Sequence, residues 1–169
     1  MTSSTRTRAQ NFVLIVSLGI LYALTPFTID MYLPSFPRIA QDLGVQVAQV
    51  ALTVSIYFIG FSFGQILYGP LLDRFGRKPP LYAGLLIYVL ASIGCATSQT
   101  LDSLMAFRFL TAIGGCSAGV GAMAMVRDYF PPEASAKVFS MLMLVLSTSP
   151  LFAPTIGSFV IDYTGWRTI

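Results

Sequence analysis

Gly69 to Leu81 reads GPLLDRFGRKPPL. Four charges, Asp73, Arg74, Arg77 and Lys78, fall within six residues, with strongly apolar sequence on both sides. Gly76 can take positive φ without steric cost. Pro79 and Pro80 suit the first turn of a following helix. The stretch therefore reads as a tight polar turn between antiparallel helices. Its charge stands out because the rest is oily: of 169 residues, 55% are hydrophobic and 10% charged. A soluble domain carries about a quarter charged residues. Such a chain needs apolar solvent over most of its surface, which is a lipid bilayer.

Outward from that turn, five apolar segments cover 11–32, 47–72, 81–97, 101–126 and 138–161. Each reaches or approaches the ~20 residues that cross a bilayer as a helix. Helix is the form separate spans take in lipid, because every backbone N–H and C=O must be satisfied within the segment. The expectation is an all-α membrane protein, with residues 11–169 as a transmembrane bundle and a sixth helix starting near 166. The first segment carries Pro26 and Asp30 late in its run and has no small-residue cleavage site, so it reads as a retained span. Arg6, Arg8, Arg74, Arg77, Lys78, Arg127 and Lys137 fall at one set of helix ends, and Arg38 and Arg167 at the other. The positive-inside rule then puts the N-terminus, with a basic tail over residues 1–10, in the cytoplasm.

Several function classes drop out. The net charge of +3 is scattered over helix ends, which gives no footprint for nucleic acid. There is no histidine, and Cys95 and Cys116 lie inside apolar runs. Neither a metal site nor a disulfide framework is expected. No phosphate-binding glycine loop, catalytic triad or paired carboxylate occurs, so no enzyme and no cofactor is expected.

Two ionisable residues lie within spans, Asp30 and Arg108. Such groups are costly in lipid and tend to face a cavity or one another. Asp30 shares a helical face with Tyr22, Thr25, Pro26 and Ile29, too polar for lipid; alternatively it reaches headgroup water at the span's end. Arg108 shares a face with Thr111 and Gly115; alternatively it snorkels to the surface. If the two approach, burial and a neighbouring arginine pull a carboxylate's proton affinity in opposite directions. A proton then loads and leaves as access alternates. Gly60 with Gly64, Gly115 with Gly119, and Ala153 with Gly157 have the spacing of close helix contacts. Tyr57, Phe61, Gln65 and Tyr68 follow one face of span two, as a substrate path or as helix contacts.

GPLLDRFGRKPPL resembles the signature loop of the major facilitator superfamily, G-x-L-a-D-r-x-G-r-k-x-x-L, at Gly69, Leu71, Asp73, Arg74, Gly76, Arg77, Lys78 and Leu81. FTIDMYLPSFP, RFLTAIGGCSAG, MVRDYFP and SPLFAPTIGSFV resemble its Bcr/CflA branch of drug–proton antiporters. The span-five motif, usually G-P-x-x-G-G, reads Ala153, Pro154, Thr155, Ile156, Gly157, Ser158, and Ala112 stands where the family has a glycine. The resemblance implies the N-terminal half of a twelve-span exporter in the bacterial inner membrane, with the C-terminal half missing. Its partners are the bilayer, protons and a small-molecule drug or antibiotic, and the proton gradient is its energy source. It assigns a conformational role to the Asp73–Lys78 loop, proton coupling or cavity lining to Asp30, Arg108, Tyr22, Thr25 and Thr111, and the antiporter motif to a helix with Pro150, Ala153, Pro154 and Gly157. The alternatives are a metabolite or sugar symporter of the same superfamily, or a truncated membrane protein that does not transport.

Overall fold

The computed structural model describes residues 7–169. Arg6 and most of the expected basic tail lie outside the described residues. Helix α1 spans Arg8–Asp30, α2 Phe36–Leu43, α3 Val47–Phe75, α4 Lys78–Thr97, α5 Leu101–Tyr129 and α6 Pro132–Thr164. Short 3-10 turns occupy Leu33–Ser35 and Trp166–Thr168. Among the described residues, five segments are long and apolar enough to cross a membrane, the first running through α1 and α2 and the others coinciding with α3, α4, α5 and α6.

The helix ends follow from local chemistry. Thr7 opens α1 as a capping box with Gln10, and Thr100 opens α5 in the same way with Ser103. Glycines in the left-handed region follow three helices: Gly44 (φ 66°) after α2, Gly76 (φ 80°) after α3 and Gly165 (φ 85°) after α6. Pro132 occupies the first turn of α6, where its missing N–H leaves no bond unmade. The α3–α4 turn is shorter than the apolar pattern suggests, because both helices run on through charged residues to Phe75 and from Lys78. In the same way α5 continues to Tyr129 and α6 begins at Pro132. At 29 residues, α3 and α5 are each about 44 Å long against a hydrocarbon core of about 30 Å. Their charged ends therefore stand in the interfacial layers.

Helix α5 is the centre of the bundle and touches all four other spans. It can do so because the contacts are made of small residues, which let backbones approach. A Cβ on Gly60 of α3 would lie 2.7 Å from the Phe109 carbonyl oxygen, and one on Gly64 would lie 2.9 Å from the Cys116 Cβ. On α4, Gly84 is closed by Ser117 and Gly94 by the Phe107 ring. Gly114 of α5, rather than Gly119, completes this seam: it faces the Tyr88 backbone, whereas nothing lies within 4 Å of a Cβ at Gly119. Of the Gly115–Gly119 pair read from spacing, Gly115 packs against the Tyr88 ring, 3.3 Å from a Cβ position, and Gly119 meets no neighbour. The outer surfaces of the remaining helices carry exposed Ile20, Ile66, Leu86 and Leu151, as lipid-facing surfaces do.

The connection between α1 and α3 is more ordered than a linker. Ile39 and Ala40 of α2 are buried with Tyr32, Val50, Leu104 and Trp166. Arg38 donates to the Ile161 carbonyl and to Asp162 on α6, both at 2.8 Å. Asp42 accepts from Trp166 Nε1 at 3.0 Å and from Arg167, and Arg167 also reaches the Ser98 carbonyl at 3.2 Å. This cluster ties the end of α6 to α2 and to the end of α4. Where a sixth span was expected to begin, the chain makes the Trp166–Thr168 turn.

Candidate functional site

Arg108 lies in the interior of the bundle and is 5% exposed. Its guanidinium carbon sits 3.3 Å from the centre of the Tyr32 ring, a cation–π contact. Its Nη1 donates to the Thr28 carbonyl at 3.4 Å, and its Nε has no protein partner. Among the described residues, no ion pair includes Arg108. Hydroxyl groups surround it. Thr28 donates to the Leu24 carbonyl at 2.7 Å, which leaves Tyr88 to donate to Thr28 across 2.6 Å. Thr53 donates to the Val50 carbonyl at 2.6 Å, so Tyr32 donates to Thr53 across 2.9 Å. Tyr57, 1% exposed, keeps a buried hydroxyl without a partner. A cavity of about 250 Å³ beside Arg108 is lined by Thr28, Tyr32, Tyr88, Ser92, Thr111 and Trp166, among others.

Asp30 takes no part in that cluster. One helical residue advances about 100°, so Asp30 points away from Thr28 and Tyr32. Its carboxylate accepts a hydrogen bond from Ser149 Oγ of α6 at 3.0 Å. Tyr22 packs against the core cluster in which Leu18 meets Leu81 of α4, Ala118 and Ala122 of α5 and Val138 and Leu142 of α6. Asp30 therefore meets α6 through Ser149, and Asp30 and Arg108 form no ion pair. Thr25 instead turns to α5 and donates to the Gly115 carbonyl at 3.4 Å. Thr111, 2% exposed, donates to the Phe107 carbonyl at 2.7 Å and meets Cys95 Sγ at 3.7 Å. In α3, Tyr57 and Tyr68 are buried while Gln65 is exposed, so these residues do not share one lining.

At the opposite end lies the charged turn. Arg77 donates from Nε to Asp128 at 2.6 Å and from Nη1 to Asp73 at 3.0 Å. Its Nη2 completes a fork on Asp128 at 3.3 Å. The hydrogen bonds to Asp128, and then to Asp73, push the Arg77 guanidinium further above its ordinary range. Arg74 lies over the Phe75 ring at 5.3 Å, and Lys78 starts α4. Gly69 meets nothing within 4 Å of a Cβ position, whereas Gly76 is fixed by its positive φ. In α6, Ala153 and Gly157 are buried, Gly157 against the backbone of Met31, while Pro150 faces outward and Pro154 is half-buried.

Sequence reasoning missed Tyr32, Thr28, Tyr88, Ser149 and Asp128 as partners. Thr28 and Tyr32, four residues apart in the stretch that holds Asp30, carried a usable signal. The contacts of Ser149 and Asp128 cross 119 and 51 residues of sequence, and no local pattern reports them.

Five apolar helices packed through glycines, with a buried arginine inside and a charged turn at one end, define a multi-pass α-helical membrane protein. The chain belongs to the Major Facilitator Superfamily, which matches residues 18–169. It is 38% identical over 158 residues to the bicyclomycin resistance protein homolog of Haemophilus influenzae, covering 94% of this chain and 40% of that one. It is 37% identical to the multidrug resistance protein MdtL of Klebsiella pneumoniae, covering 88% of this chain and 38% of the relative. Against the chloramphenicol resistance protein of Pseudomonas aeruginosa it is 36% identical, with 94% and 36% covered. These relatives are consistent with the Bcr/CflA-type branch. The chain spans roughly two fifths of their length. Its fold matches a bacterial homologue of the human lysosomal transporter Spinster, in an inward-facing and unoccupied conformation. The TM-score is 0.76 and the identity 17%, covering 96% of this chain and 40% of that one.

Proposed function

We propose that this chain forms the N-terminal half of a proton-coupled drug exporter of a bacterial inner membrane, with its N-terminus in the cytoplasm. Asp30 carries the coupled proton, and Arg108 supplies a fixed positive charge in the interior. The Asp73–Lys78 turn faces the cytoplasm, where Arg77, bridging Asp73 and Asp128, steadies the surface that meets the second half. The observation that carries this reading is the pair of in-span charges held without each other: Arg108 on an aromatic ring and a carbonyl, Asp30 on one neutral hydroxyl. A carboxylate met only by a neutral hydroxyl can change its charge without stranding a buried counter-ion. Relatives named for resistance to bicyclomycin, chloramphenicol and multiple drugs support the substrate class.

The test is proton release driven by chloramphenicol or bicyclomycin, from vesicles that hold the complete transporter containing this chain. Asp30→Asn abolishes the proton signal while insertion and drug binding persist. Normal coupling in that variant refutes the assignment. Vesicles that hold this chain by itself show no proton-dependent export.

A further inference from the structure

Ser149, which meets Asp30, is 1% exposed and directly precedes Pro150. It is the first of three small residues, Ser149, Ala153 and Gly157, buried at successive turns of α6. The end of α1 lies on this face, with Met31 against Gly157. Of the three, only Ser149 carries a hydrogen-bonding side chain.

The charged surroundings of Asp30 are simple. Between Lys137 and Asp162, α6 contains no titratable residue. Arg108 of α5 is directed to Thr28 and Tyr32, and Tyr88 of α4 to Thr28. From α3, Tyr57 is buried with its hydroxyl unpartnered, and Tyr32 spends its hydroxyl on Thr53. A hydroxyl donates roughly twice as strongly to a carboxylate as to a neutral acceptor. The Asp30–Ser149 bond therefore weakens when a proton arrives on Asp30.

Two prolines interrupt the backbone ladder of α6 in the turn that follows Ser149. Pro150 and Pro154 have no N–H, so the carbonyls of Leu146 and Pro150 lack their usual donors. A side-chain tie immediately before this turn has unusual leverage over it.

We infer that Ser149 is a positioning residue, which holds ionised Asp30 against α6 and frees the Pro150–Pro154 turn when Asp30 is protonated. This deepens the proposed function and rests on its reading of Asp30 as the proton carrier.

The experiment is amide hydrogen exchange over residues 144–160 of this chain in lipid nanodiscs, with helical content checked by circular dichroism. Ser149→Ala and Asp30→Asn each speed exchange on the order of tenfold, the scale of one hydrogen bond to a charged group. The double variant exchanges no faster than either single one, because both remove the same link. Ser149→Thr, which keeps the hydroxyl, exchanges like the wild type. Unchanged exchange in Ser149→Ala, multiplying effects in the double variant, or a threonine that fails to rescue overturns the inference. If the link passes and Asp30→Asn still couples protons in the complete transporter, the transport reading fails and the mechanical link stands.

Discussion

Gly157→Ala measures how closely α6 crosses α1. A Cβ at this position would lie 2.9 Å from Met31 Cα and 3.0 Å from its carbonyl carbon, and nearer still to the carbonyl oxygen. Carbon atoms in contact prefer about 3.5–4.0 Å. The obstructing atoms are backbone, so no rotamer change relieves them and the helices must move apart. Gly119→Ala in α5 is the matched control, because nothing lies within 4 Å of its Cβ. Both changes gain about 1 kcal/mol of helix propensity. The difference between them isolates crowding, about 1–3 kcal/mol for an overfilled contact. With three backbone atoms at or inside ordinary contact distance, Gly157→Ala belongs in the upper half of that range. Unfolding of the chain in mixed micelles, followed by circular dichroism as dodecyl sulfate is added, reads the difference directly. Gly157→Ala unfolds earlier than wild type and Gly119→Ala later. Coincident curves for the two variants would show that α6 does not lie on α1 as described.

Trp166→Ala costs about 3–5 kcal/mol in the same assay, whereas Trp166→Phe, which keeps an aromatic ring but loses the N–H to Asp42 and part of the indole's bulk, costs less, about 1 kcal/mol of it from the hydrogen bond. A double-mutant cycle of Arg77→Ala and Asp128→Asn gives a coupling of at most about 1 kcal/mol that shrinks with salt, since both side chains are partly exposed, at 26% and 39%. Because the folded state raises the Arg77 value, the proton-linked stability is complete below the unfolded arginine range and is lost only above it. Arginine's side of the coupling is therefore flat between pH 7 and 10, and a decline in that window measured by the cycle counts against the pairing. Tyr32→Leu removes the ring beneath Arg108 and costs about 0.5–2 kcal/mol in unfolding beyond its packing loss; Tyr32→Phe keeps the ring and loses only the bond to Thr53.

The five spans were legible because bilayer thickness fixes how long an apolar run must be, and each of the five has that length. The charged turn was legible because its glycine, prolines and charges are adjacent in sequence. Helix α2 was not: it has eight residues, two prolines just before and within its first turn, and no apolar run, so it reads as linker. Arg108 and Asp30 announced themselves as charges in oily surroundings, but which way each points depends on tertiary packing. One residue of register decides whether a side chain of α1 meets α5 or α6. Gly114 taking the place of Gly119 is the same limit: spacing finds a small-residue face without saying which neighbour presses on it.

Glycine and alanine along α5 have a mechanical consequence. Where main chains meet without intervening side chains, there is no compressible layer to absorb a sliding motion. The post at the middle cannot shear past α3 and α4 without opening voids, so these three helices tilt as one block. Any flexing is left to the perimeter, where α6 has lost two rungs of its ladder to proline and lipid makes room.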